Sequence, residues 1–188
     1  MFFAICLINK SVLQFRYKPV YRNHHIIKLA MSIKEIFVVL MHTEPDYLLT
    51  FIRCIAGVII FPYGMQKLFG FFDDFGGGVG IRESLTSFKN KKIPNAIAWL
   101  VIVGQSFGSI LLIAGFLGRF AAIANFVIFA GALVKHFPDG WTMNWVGKKK
   151  GEGIEYFVLL LSFLLIIAIF GSGSFSIDLA LIYSKLKN

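Results

Sequence analysis

Acidic side chains are scarce in this chain of 188 residues, with 10 Asp and Glu against 19 Lys and Arg, and charge of either sign makes up only 15% of it. Cysteine is scarcer still. Cys6 and Cys54 form no CxxC pair, which excludes a dithiol–disulfide enzyme, and Cys54 lies in an apolar run where packing is its expected role. Three of the four histidines, His24, His25 and His42, precede the first long apolar run. His136 alone stands beside a later one, so a bis-histidine haem lacks its second ligand. No cluster with metal-ligand spacing is present, and GGGVG at 76–80 has no preceding strand to make it a nucleotide loop.

Apolar residues fill the space these absences leave. The chain is 57% hydrophobic with a mean hydropathy of +0.73, more apolar surface than a soluble domain of this size can bury. A helix needs roughly 20 apolar residues to cross a bilayer. Four runs qualify, at 47–72, 93–117, 119–137 and 154–171. The expected fold is therefore all-α, an integral membrane four-helix transmembrane bundle. A net charge of +9 suits anionic headgroups, making the lipid bilayer the expected partner and nucleic acid an unlikely one.

The organisation has three parts: a basic and aromatic segment 1–46, a membrane domain 47–180 and a tail 181–188. The leader MFFAICLINK has no basic n-region and is a poor signal peptide. Residues 1–30 read either as a membrane-surface segment or as untranslated, with the start at Met31 or Met41. Without them the positive-inside preference reverses, so orientation stays open. Pro62 should loosen or kink the first span. Ile81, Leu85 and Phe88 at i, i+4, i+7 predict a short amphipathic helix over 79–90, lying on the membrane surface between spans one and two. Gly104 and Gly108 in GxxxG spacing predict a close helix approach, and GFLGRF at 115–120 predicts a tight turn. Two tryptophans in the loop after Pro138 suit the headgroup belt.

The informative residues are the polar ones within the spans. A cation in mid-bilayer costs about 2.5–3.5 kcal/mol. Arg53, Gly57, Ile60, Gly64 and Lys67 follow one continuous helical stripe, and its two glycines point to a helix-facing seam rather than to snorkelling. In a bundle of alternating direction, Lys67, His136, Asn144, Trp145, Glu152 and Glu155 share one side of the membrane. Lys67 is expected to pair with Glu152 or Glu155 there, although both carboxylates also suit a helix N-terminus. At the opposite side, Arg53 sits near Arg119 and Asp178, with Asp178 its economical partner. Gln105 and Asn125 are expected to act as interhelical hydrogen-bonding glue.

Several stretches together resemble the DoxX family of small four-span membrane proteins: FIRCIAG around Arg53, PYGMQKLFGFF (62–72), KKIPNAIAWL, GFLGRFAA, KHFPDGWTMNWVG (135–147), GEGIEY (151–156) and GSGSFSID (171–178). The resemblance covers about 45–180. It implies a four-helix bundle of the bacterial inner membrane associated with oxidoreductase systems, the family name coming from similarity to a thiosulfate:quinone oxidoreductase subunit. It carries over Arg53, Gly64, Lys67, Asn144, Trp145, Glu152, Glu155 and Asp178. Two departures stand out: Gln105 where such proteins often have an acid, and Tyr63-Gly64 where a histidine-glycine pair is usual. The expected function is a membrane subunit that binds a quinone or similar amphiphile, with Tyr63 or Lys67 donating to a ring carbonyl and Glu152 or Glu155 handling a proton. No covalently bound cofactor is expected, and electrons would come from soluble or membrane oxidoreductase subunits. The alternative is a non-enzymatic scaffold or small-solute transporter.

Overall fold

A computed structural model describes residues 39–72, 77–148 and 151–187, and the N-terminal expectations for 1–38 lie outside them. Among the described residues every regular element is helical. Helix α1 spans Tyr47–Phe69, α2 Gly80–Asn90, α3 Asn95–Ala114, α4 Gly118–His136, α5 Glu155–Phe170 and α6 Ile177–Lys187, with a 3-10 turn at Phe137–Asp139.

Local chemistry sets the ends. Asp46 starts α1 by accepting the Leu48 and Leu49 amides at 2.6 and 3.3 Å, the usual work of an N-cap carboxylate. Gly70 ends it in the left-handed region (φ 75°), donating to the Gln66 carbonyl at 3.0 Å. Pro62 lies inside α1 without ending it. Between α3 and α4 the chain reverses over a few residues, with Gly115 at φ 67° and Leu117 at φ 49°, a conformation costly for leucine. The Asp178 carboxylate holds that turn, accepting the Leu117 and Gly118 amides at 2.7 and 3.0 Å.

Small residues let the helices close on one another. A Cβ on Gly64 would stand 2.6 Å from the Ser106 main chain, so α1 and α3 touch backbone to backbone, and Ser106 Oγ donates to the Gly64 carbonyl at 2.8 Å. At Gly104 and Gly108, as the GxxxG spacing predicts, α4 approaches instead, and its Asn125 amide donates to the Gly104 carbonyl at 3.2 Å. Arg53, Gly57, Ile60, Gly64 and Lys67 are all buried, so the stripe is a seam. The core comprises Ala56 and Ile60 of α1, Leu112 of α3, Ala121, Ala122 and Phe129 of α4, and Leu160, Leu164 and Ile167 of α5.

The outer faces are apolar too: Val58, Phe107, Val127 and Leu159 are each more than half exposed. Such faces on all sides belong against lipid. Helices Tyr47–Phe69, Asn95–Ala114 and the run Gly118–Asp139 are long and apolar enough to cross a membrane. Helix α5 is equally apolar but has 16 residues. At 1.5 Å per residue it covers about 24 Å of a hydrocarbon core about 30 Å thick.

Candidate functional site

The bundle has two polar ends. At one, Arg53 is 1% exposed and has no carboxylate partner among the described residues. Its Nε donates to the Ser172 carbonyl at 2.8 Å, Nη1 to those of Ile113 (2.6 Å) and Leu112, and Nη2 to that of Phe175 at 2.5 Å. Two of these carbonyls lie at the C-terminus of α3, where a cation is favoured. The expected Arg53–Asp178 pair is therefore not formed. Asp178 is spent on the α4 amides and on Ser172 Oγ, which donates to it at 2.7 Å, so Ser172 links the two charges. The physical reason is supply: a turn ending α3 and a glycine-rich loop offer carbonyls in the plane of the guanidinium fork. Residues 171–175 also thread onto the start of α1, Gly173 N donating to Thr43 Oγ1 (2.7 Å), Ser174 N to the Asp46 carbonyl (3.0 Å) and Phe175 N to Thr50 Oγ1 (3.2 Å). Arg119 sits at the same end, 3.4 Å from His42 Nδ1.

The opposite end is built differently. Lys67 is buried in α1, its Nζ donating to the Tyr63 carbonyl at 3.3 Å and lying 5.7 Å from the Tyr63 ring centre, within cation–π reach. From Tyr63 an aromatic row continues: Tyr156 at 6.4 Å, Phe157 edge-on at 5.3 Å, then His136 stacked on Phe157 at 5.3 Å. Tyr156 has its hydroxyl buried beside Tyr63. The row ends in a close contact, His136 Nδ1 to Asp139 Oδ2 at 2.9 Å. Beside Lys67, Gln66 Nε2 and Ser84 Oγ both donate to the Gly78 carbonyl (3.0 and 3.2 Å), fastening α2 to the end of α1.

The structure thus brings Tyr63, Lys67 and His136 to one end, as the alternation of helices predicts. It does not join Lys67 to Glu152 or Glu155. Both carboxylates are exposed and fold the preceding loop onto itself, Glu152 accepting the Asn144 amide at 3.1 Å and Glu155 the Met143 amide at 3.5 Å. Loop amides reach them first, and Lys67 lies below under Tyr63. Trp145 is 82% exposed on that loop. In mid-bundle, Asn125 is glue, donating also to the Ala121 carbonyl at 3.0 Å, whereas the buried Gln105 Oε1 has no hydrogen-bond partner among the described residues. Tyr156, Phe157, Ser172 and Gln66 are the residues missing from the expected set. GEGIEY holds the first of them next to Glu155, and GSGSFSID the third, six residues before Asp178.

Long apolar helices, lipid-suited outer faces and two polar ends define an all-α integral membrane protein. Residues 48–138 match the DoxX family model, which makes this stretch of the chain a DoxX domain. It takes in α1 to α4 and so contains Arg53, Tyr63, Lys67 and His136, while Asn144, Trp145, Glu152, Glu155 and Asp178 follow it. No curated protein and no solved structure compared with the chain matches it.

Proposed function

We propose that the chain crosses the bilayer four times and binds a quinone or similar amphiphile at the Lys67 end, as a membrane subunit of an oxidoreductase system in the bacterial inner membrane. The fourth crossing is α5, which turns Leu160, Leu164 and Ile167 to the core and Leu159, Leu165 and Ile169 outward. Helix α2 lies at headgroup depth, with Arg82 and Lys89 exposed and Ile81, Leu85 and Phe88 half-buried.

The observation that carries the reading is the aromatic row between a buried ammonium and a histidine–aspartate pair. Aromatic side chains stack favourably on a planar ring, Lys67 and the Tyr hydroxyls supply donors for its carbonyls, and His136–Asp139 stands at the far end of the row to take up a proton. That role moves from Glu152 and Glu155, which are engaged by their own loop. A bound quinone supplies the redox chemistry; the protein's residues orient it, and the electrons come from partner subunits.

The test is titration of the purified protein with a short-chain quinone, read by quenching of its tryptophans. Lys67→Ala should weaken binding about tenfold, a change of about 1.4 kcal/mol. No saturable quenching by the unaltered protein would remove the reading. The backbone wiring around Arg53 favours a second reading, a non-enzymatic scaffold or small-solute transporter. It predicts that Lys67→Gln lowers the melting temperature without any phenotype under quinone or sulfur-compound stress.

A further inference from the structure

A groove runs along the outer face of α2, lined by Arg82, Glu83, Thr86, Ser87, Asn90 and Lys91. These positions recur at i, i+1, i+4, i+5, i+8 and i+9, a single face of the helix. Two of the six are spent within the protein: Thr86 Oγ1 donates to the Arg82 carbonyl at 2.9 Å, and Glu83 Oε2 accepts the Val79 amide at 3.2 Å. The Arg82 guanidinium, the Asn90 amide and the Lys91 ammonium have no hydrogen bond or ion pair among the described residues.

Isolated surface cations are ordinarily just solvated. This group differs because α2 cannot turn to spread its charges. Its opposite face is fixed by fully buried Ser84 bonded to the Gly78 carbonyl, and the one acid in the groove already caps the helix. Beyond the groove α3 enters the membrane with Ile97, Trp99, Leu100 and Val103 exposed, a surface along which acyl chains can lie.

We infer that this groove is a binding site for the headgroup of an anionic phospholipid, with the Arg82 fork and Lys91 holding its phosphate and Asn90 donating to its polar headgroup. Arginine presents two parallel N–H groups to phosphate oxygens, and lysine adds a point charge. The placement rests on the bilayer reading above, in which α2 lies at headgroup depth, but not on the quinone.

The experiment uses the full chain in detergent. Retention of phosphatidylglycerol against phosphatidylcholine is counted by native mass spectrometry, and melting is followed with phosphatidylglycerol, phosphatidylcholine or inorganic phosphate added. The unaltered protein should retain and be stabilised by phosphatidylglycerol selectively. R82Q/K91Q should bind it about thirty-fold more weakly, the effect of two surface cations near anionic lipid. K148Q, on the loop between α4 and α5 and outside the groove lining, should bind it as the unaltered protein does. Equal retention by R82Q/K91Q and the unaltered protein overturns the site, as does stabilisation by inorganic phosphate alone. A nitroxide on K89C, in a background without native thiols, reports the depth of α2 independently. A label at headgroup depth with no lipid selectivity sinks the site alone, whereas a label far from the headgroups sinks the bilayer placement as well.

Discussion

The two ends of the bundle each hold a buried cation on the same helix, yet they solve the problem of its charge differently. Around Arg53 all the acceptors are main-chain carbonyls from two distant segments, and the nearby acid is diverted to amides. Around Lys67 the described surroundings include the ring and the carbonyl of Tyr63, while Glu152 and Glu155 are exposed and Asp139 meets His136. Carbonyls bound to a guanidinium fix a shape and leave little to exchange. The first end is built for integrity, and the second is the end at which we propose a ligand.

The sharpest way to break this comparison is Arg53→Met. It strands buried carbonyls that cost about 1–3 kcal/mol apiece when unsatisfied, so a loss near 4 kcal/mol is expected in a detergent unfolding titration. Lys67→Met should lose less than half as much; equal losses would make both ends structural. Next is Gly64→Ala, whose new methyl meets the Ser106 backbone at 2.6 Å. It should cost about 1–3 kcal/mol as overpacking. Gly57→Ala should cost less, because its closest contact is the movable Ile113 Cγ1 at 2.7 Å. Melting curves of the two variants decide the order. Smallest is Glu155→Gln, expected within about 0.5 kcal/mol of the unaltered protein because the carboxylate is exposed and accepts one long contact. A large loss there would tie Glu155 into the aromatic row after all.

The helices were legible because their signals are local. Apolar runs placed α1, α3, α4 and α5 to within a few residues, and Ile81, Leu85 and Phe88 placed α2. The glycine stripe gave the α1 seam before any coordinate did. Helix α6 falls where only the end of the membrane domain and a tail are expected, although Ser176 caps it by accepting the Leu179 amide at 3.2 Å and Asp178 sits in its first turn. The site was less legible for a reason of kind. Counting acids and bases pairs Arg53 with Asp178 and Lys67 with Glu152 or Glu155, but a main-chain carbonyl or amide carries no letter in the sequence. Wherever the backbone supplies the partner, as at Leu112, Ser172 and Asn144, charge matching by residue type chooses wrongly. The aromatic row escaped for a related reason, since Tyr156 and Phe157 look like ordinary span residues until the neighbour across the bundle is known.

The contact between Arg53 and Ser172 joins residues 119 positions apart. A ribosome delivers the arginine to the lipid long before it delivers the loop that neutralises it, so the first hairpin must wait, partly unfinished, for the last. Insertion of this protein therefore has an order of events written into it: the final glycine-rich loop is the latch, and a chain truncated before residue 171 carries an arginine that half of its acceptors never reach.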